Sequence, residues 1–134
     1  MTNAALELQT TLYAALSGDS TLSAMTEGVF NHVPQGTGYP YVVISNMGAE
    51  DISSVASHKE RLQVLLNVYS DAQGAKEALD IAGEIHRALH QQSLSMNSGY
   101  ILELLQVRET NARQLSSGKY WLVQVRLEAR VLVN

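Results

Sequence analysis

The sequence predicts an α+β fold, a two-layer sandwich in which two helices pack on one face of a mainly antiparallel, four-stranded sheet. Residues 59–69 alternate aliphatic and polar side chains, which is the period-two pattern of a half-buried strand. Residues 75–89 then repeat small and aliphatic side chains along one helical face. A strand with one apolar face and a helix with one apolar stripe can bury both by packing together. We expect the rest of the chain to assemble around this pair.

The N-terminal segment predicts one packing helix followed by a short helical turn. Apolar side chains within residues 3–17 share one helical face, and Gly18 is a plausible helix stop. Asp19 then offers N-cap chemistry for a short turn through Leu22 and Met25. These two elements are expected to cover part of the sheet.

The next region predicts an irregular connector and the first strand. Residues 28–39 contain a proline and two glycines near their end, which prevent regular structure. Pro40 precedes the β-branched run 41–46, at the position where a strand tolerates proline. Residues 48–57 are small and polar, so we predict a loop of about ten residues between the first two strands. Loops of this length in compact domains are often functional, although a solvated loop is the alternative.

The C-terminal third predicts a polar loop over residues 91–99, a third strand over 100–108 and a turn region over 111–118. The last strand, residues 121–133, alternates apolar and polar side chains to its end. A long strand with free backbone groups can pair with another chain. We therefore consider the last strand a candidate contact between chains, against the alternative that it lies inside its own sheet.

Composition places the chain in one class and excludes several others. The 134 residues suit a single domain, 1–134, and the net charge of −4 argues against a protein that neutralises phosphates. The absence of cysteine excludes thiolate catalysis and Cys-based metal sites. The first residues lack the basic start of a signal peptide, and no apolar run approaches a membrane span, so we expect a cytoplasmic product and no membrane partner.

The side chains that could carry chemistry form no recognisable active site. His86 and His90 have the i, i+4 spacing that a zinc site can use, but the intervening residues lack the glutamate of a metalloprotease helix. Glu50 and Asp51 could hold a divalent ion, and adjacent acids in a loop are more often solvated charge. There is no GxSxG motif and no phosphate-binding loop. We predict no catalytic residue, no metal site and no cofactor.

Several local features occur along the chain in a familiar order. They are the helix end Leu12-Tyr-Ala-Ala-Leu-Ser-Gly-Asp19 with the following turn Thr21-Leu-Ser-Ala, the strand entry Gly38-Tyr-Pro-Tyr-Val-Val-Ile44, the strand and helix from Arg61-Leu-Gln-Val to Ala88-Leu89, and the hairpin Gly118-Lys-Tyr-Trp. In their order and spacing these features resemble the tail-completion or tail-terminator family of long-tailed, siphovirus-type bacteriophages and prophages. The likeness extends over nearly the whole chain.

This resemblance implies a structural assembly protein of the virion, made in the host cytoplasm. Members of the family form a homo-oligomeric ring, usually of six copies, that caps the head-proximal end of the tail tube and stops its polymerisation. The implied partners are the tail tube protein and a head-completion or connector protein, and DNA passes through the lumen without specific binding. In related proteins the loop between the first two strands takes part in assembly contacts. The implied interface residues here are Gly48, Ala49, Glu50, Asp51, Ile52, Ser53, Ser54, Val55, Ala56 and Ser57.

Two other hypotheses for the function remain open. A head-completion or head-tail adaptor protein would use a similar small ring with a different partner. A protein of another class, either a small-molecule-binding regulatory module or a His-dependent metal hydrolase, would need a concave apolar pocket or a third metal ligand near His86 and His90.

Overall fold

The computed structural model describes residues 3–96, 99–115 and 119–133, and one five-stranded sheet with three helices accounts for most of them. The elements in chain order are α1 (Ala4–Ser17), α2 (Ser20–Met25), β1 (Val29–Phe30), β2 (Tyr41–Asp51), β3 (His58–Ser70), α3 (Lys76–Leu89), β4 (Tyr100–Leu115) and β5 (Tyr120–Val133). The strand order is β1-β2-β3-β5-β4, and every neighbouring pair except β1 and β2 is antiparallel. The predicted α+β class is confirmed, with a short strand added inside the expected connector.

The core forms where the predicted strand and helix pack together. The aliphatic positions of β3 are buried, and Leu66 lies directly opposite Val125 of β5, with both side chains fully inaccessible to solvent. The apolar stripe of α3, including Ile81 and Ile85, is buried against this face. The helix α1 packs through Leu8 and its neighbours at helical spacing over β1 and β2. We call this side of the sheet the core face and the opposite side the open face.

The corner between β3 and α3 is fixed by a buried hydroxyl. Ser70 is inaccessible to solvent, and its Oγ donates a hydrogen bond of 2.6 Å to Oε1 of Glu77 in the first turn of α3. The same Oγ accepts a hydrogen bond of 3.1 Å from the backbone N–H of Ala72. Because a buried hydroxyl must have hydrogen-bonding partners, this arrangement holds the helix at one angle to the strand.

A second link joins α2 to α3. The Asp19 side chain accepts hydrogen bonds from the backbone N–H groups of Thr21 and Leu22, which confirms the predicted N-cap. Its carboxylate also pairs with the Arg87 guanidinium at 2.8 Å. The hydrogen bond from Arg87 lowers the pKa of the Asp19 carboxyl below its ordinary value, and the backbone hydrogen bond from Leu22 lowers this pKa further.

The position of the last strand differs from one of the two sequence-based alternatives. β5 pairs with β3 on one side and with β4 on the other along its whole length, so the alternative that it lies inside its own sheet is confirmed and the alternative that it pairs with another chain is wrong. The outer strand on this side is β4, which continues to Leu115 rather than ending at residue 108. Residues 111–115 of the expected turn region are therefore strand, and residues 116–118 lie outside the described residues. Periodicity could not reveal this, because the second half of β4 is polar and mostly exposed.

We predict that Leu66→Asp and Val125→Asp each abolish soluble folding. An unpaired carboxylate in this dry core costs several kcal/mol, against a total stability of about 5 to 15 kcal/mol. Gln63→Asp is the matched control, because Gln63 lies exposed on the open face of β3. Soluble yield and urea denaturation measure the effect. Cooperative unfolding of either core variant at the stability of the Gln63→Asp protein would contradict the assignment of the faces.

We also predict an acid-sensitive contribution from the Asp19 carboxylate. Because its pKa is lower in the folded chain than the unfolded value of about 3.9, its stabilisation is present above that value and is lost as the pH falls through the folded pKa. Asp19→Asn keeps a capping oxygen but removes the charge, so it should lower the free energy of unfolding by on the order of 1 kcal/mol at neutral pH.

The difference in unfolding free energy between wild type and Asp19→Asn should shrink on acidification, as followed by urea denaturation at several pH values. Asp80→Asn is the control, since the Lys76–Asp80 pair is solvent-exposed and should contribute little. A pH-independent difference for Asp19→Asn would contradict the role of the charge.

Candidate assembly surface

The hairpin of β2 and β3 contains all ten residues expected to form the interface. The prediction that residues 48–57 form one loop is wrong for its first four residues: Gly48 to Asp51 continue β2 and pair with Gln63 to Glu60 of β3. The loop proper is residues 52–57. These first four residues have low strand propensity, but pairing with β3 supplies their backbone hydrogen bonds. On the open face, Glu50 adds a 2.6 Å ion pair with Arg61.

The loop at the end of this hairpin is organised by its own polar groups. The backbone N–H of Ser53 donates to Oδ1 of Asp51 at 2.8 Å, and the Oγ of Ser53 accepts from the backbone N–H of Lys59 at 3.0 Å. Hydrogen bonds from Ser53 lower the pKa of the Asp51 carboxyl. The loop closes where the N–H of Ser54 donates to the carbonyl of Ser57 at 2.8 Å. These hydrogen bonds give the loop a defined shape.

Val55 stands at the tip of the hairpin loop and is fully exposed. Ile52, at the base of the loop, is only partly exposed. An isolated exposed apolar side chain is common on protein surfaces. At the tip of a hairpin whose hydrogen bonds fix its shape, it is also suited to contact a second protein.

The open face carries a chain of ion pairs centred on Glu128 of β5. Its carboxylate lies 3.9 Å from Arg61, 3.5 Å from Arg108 and 3.9 Å from Arg130, and its side chain is only 14% exposed. Glu109 pairs with Arg126 at 3.4 Å on the same face. Four arginines of this region therefore share three carboxylates, since Arg108 and Arg130 both pair with Glu128. The open face is polar, and its carboxylates lie among its arginines.

Tyrosines gather where the connector before β2 meets the sheet. Tyr39 stacks on Tyr41 and on Tyr120, with ring centroids 5.2 Å apart in each case. Tyr41 also contacts Tyr69 at 5.3 Å. Burial, followed by the effect of Tyr39, raises the pKa of the Tyr41 hydroxyl. The peptide bond before Pro40 is cis. This cluster fixes the end of the connector to the sheet and was not predicted from the sequence.

The two histidines at helical spacing have a structural role. The rings of His86 and His90 stack with centroids 4.4 Å apart, and Nδ1 of His90 accepts a 3.0 Å hydrogen bond from the backbone N–H of Val107 in β4. The lone pair of that nitrogen is therefore used by a hydrogen bond. Within residues 3–96, 99–115 and 119–133, no cluster of three or more His, Asp or Glu side chains is arranged to hold a metal ion.

The helices of the described chain are too short and too polar to cross a membrane. A cleft of about 450 Å³ lies between α2 and the start of α3, where Met25, Ala72 and Ile81 meet Lys76, Glu77 and Asp80. Its charged side chains all belong to α3, and Lys76 is paired with Asp80. The cleft has no nucleophile with a positioned base among these lining residues.

Sequence reasoning identified the hairpin but not the groups that surround it. The alternating Arg126, Glu128 and Arg130 could be recognised in the sequence as the polar face of a strand. Two partners of Glu128, Arg61 and Arg108, come from β3 and β4, so only the strand order brings them together. No sequence signal for that order was available, because the central position of β5 depends on pairing between distant segments.

Comparison with known structures places this architecture in a virus-like particle. A chain from the virion of a native gene transfer agent (GTA) particle superposes with a TM-score of 0.89 at 25% sequence identity, covering 98% of this chain and 99% of that one. With this fold, the chain is a structural component of a phage-type virion. The model of the family "Tail completion protein gp17" matches residues 10–132. The chain belongs to this tail completion family, and it is a structural protein of the phage tail rather than an enzyme.

A partial similarity to an enzyme does not change this conclusion. An alignment over 76 residues shows 33% identity to the retinoid-inducible serine carboxypeptidase of Rattus norvegicus. It covers 48% of this chain. The match spans only 17% of the length of that protein. So short a share of a larger enzyme supports no transfer of its activity.

We predict that the protein binds no stoichiometric zinc. His90 uses Nδ1 to accept the Val107 hydrogen bond, and two neighbouring histidines without a third ligand make a weak site. Metal analysis after dialysis against zinc should show no bound ion in wild type or in the His86→Ala/His90→Ala variant. Stoichiometric zinc in wild type that the double variant loses would revive the hydrolase hypothesis.

Proposed function

We propose that this chain forms a homo-oligomeric ring, expected to contain six copies, which caps the head-proximal end of the tail tube. The ring ends tube polymerisation and provides the surface on which the head joins the tail. The match of the tail completion family over residues 10–132 carries this proposal. In it, the whole chain, 1–134, acts as a single tail-terminator-like domain, and its partners are the tail tube protein and a head-completion or connector protein.

The β2–β3 hairpin is the contact that we assign to assembly. Its residues 48–57 include an exposed apolar tip at Val55, and the loop hydrogen bonds of Ser53 and Ser54 hold that tip in place. A preformed loop loses little conformational freedom on binding, so an apolar contact made by its tip contributes more of its energy to affinity. This supports an interface or lumen position for the hairpin.

The charge of the chain supports a channel through which DNA moves without binding. With a net charge of −4 per copy, six copies carry 6 × −4 = −24, the sign that repels phosphates. The arginines around Glu128 on the open face each lie within 4 Å of that carboxylate, which offsets part of their positive charge.

We predict that wild-type protein added to purified tail tubes forms a cap at one end, visible by negative-stain electron microscopy, and blocks further addition of tube subunits. Val55→Asp should reduce the fraction of capped tubes, because a charge at the exposed tip removes the apolar contact without disturbing the core. Leu79→Asp is the matched control. Leu79 is a partly exposed aliphatic residue on α3, outside the hairpin, and this change should leave capping unaltered.

The outcomes separate the alternatives. Tubes that stay uncapped and continue to grow with wild-type protein would refute the terminator role, and binding to the portal side of heads instead would indicate a head-completion adaptor. Equal capping by wild type and Val55→Asp would remove the hairpin tip from the interface while leaving the terminator role in place.

A further inference from the structure

The outer side of β2 is covered only at its start. β1 pairs with Val42 and Val43, and no strand of the described chain lies beyond residues 44–51. We call residues 44–51 the β2 free edge. Six of its eight residues are exposed, and it contains neither proline nor lysine, the residues with which proteins commonly protect such edges.

The outer side of β4 is likewise covered over its first half. The carbonyl of Leu105 accepts a 2.7 Å hydrogen bond from the backbone N–H of Gln91, the N–H of Val107 donates to His90, and Ile101 forms a bridge with Ser95. Beyond Val107, no described segment pairs with the outer side of residues 108–115, which we call the β4 free edge. Six of these eight residues are also exposed, and neither proline nor lysine occurs among them.

The two free edges are complementary in length, direction and charge. Each comprises eight residues, and in each a bulge near the start leaves a regular stretch beyond it. The β2 free edge carries Glu50 and Asp51 and no basic residue, whereas the β4 free edge carries Arg108, Arg113 and one acid, Glu109. Because β2 and β4 run in opposite directions within the sheet, two copies in the same orientation would bring them together antiparallel.

We propose that the β2 free edge of one copy pairs with the β4 free edge of a second copy, so that the sheets of successive subunits join into one. The contact is heterologous, since two different surfaces meet, and repetition by rotation closes a ring. This inference deepens the ring assembly proposed above and rests on it for closure. It also assigns an assembly role to residues 108–115, which lie far from the β2–β3 hairpin.

The two free edges lie at different levels along the strands, and this offset sets how far each copy is shifted relative to the next. Following the ladders through Leu65 and Arg126, Asn46 of β2 is level with Glu109 of β4. Residues 47–51 are therefore level with residues 102–107 in the covered half of β4, and most of the β4 free edge lies beyond them. Aligning the two free edges shifts the next copy along the strands by about six residues, or about 20 Å.

This shift agrees with the requirements of a closed sheet. Each copy adds four long strands, about 19 Å across at the usual spacing. A 20 Å shift over that width tilts the strands by about 45° from the ring axis, close to the 35–45° typical of closed barrels. Because successive copies keep the same orientation, the helices of every copy lie on one surface of the ring and the open faces on the other.

The absence of native cysteine makes the contact testable by disulfide cross-linking. Single cysteines are placed on the open face of each free edge, since the alternation of the strands aligns them there: Asn46→Cys, Gly48→Cys and Glu50→Cys on β2, and Asn111→Cys, Arg113→Cys and Leu115→Cys on β4. Within one copy the two edges are three strand spacings apart, about 14 Å, too far for a disulfide. Any cross-link between them therefore joins two copies.

We predict that at least one mixture of a β2 variant with a β4 variant gives a disulfide-linked dimer on oxidation, while each variant alone gives none. A chain carrying both cysteines should give a ladder that ends at the ring size. The matched controls, Val43→Cys on the covered start of β2 and Gln106→Cys on the covered half of β4, should not cross-link to the opposite free edge. Thermal melts of each variant verify that it is folded.

Two different results would overturn the inference. If wild type forms rings by electron microscopy but none of the nine mixtures cross-links, or if single variants link to themselves, the edge contact is wrong and the proposed ring stands. If wild type forms no ring with tail tubes and no mixture cross-links, the proposed function fails together with the inference.

Discussion

The structure depends on the burial of one face shared by β3 and β5 beneath α3. Leu66 and Val125 lie opposite each other at zero exposure, and the α3 stripe that includes Ile85 closes over them. Burial of apolar area is the main favourable term in folding, so the two longest regular apolar patterns of the chain pair at its centre. The strand order β2-β3-β5-β4 results from placing both in the middle of the sheet.

Because the two most apolar strands occupy the centre, the polar strands are left outside. Residues 44–51 of β2 and 108–115 of β4 are largely exposed. Short segments cover the rest of these outer strands: β1 lies against the start of β2, and residues 90–95 lie against the first half of β4. The fold thus covers only part of each outer edge, and the free parts are those that we propose to pair between copies.

The open face of the sheet is polar, and its ion pairs centre on Glu128. Glu128 is largely buried by the arginines that surround it, which come from three different strands. Each pair contributes little stability at a surface, and the strand order alone brings the three arginines to this carboxylate.

The sequence by itself determined the helices, the N-cap at Asp19, the paired strand and helix from residue 59 to 89, and the alternating last strand, because each depends on local periodicity or local hydrogen bonding. Its resemblance to the tail-completion family also indicated the structural role. Only the tertiary structure decided that β5 is central, that Gly48 to Asp51 and residues 109–115 are strand, and that His90 binds Val107. Those features depend on pairing between segments far apart in the chain, where a partner strand outweighs weak local propensity.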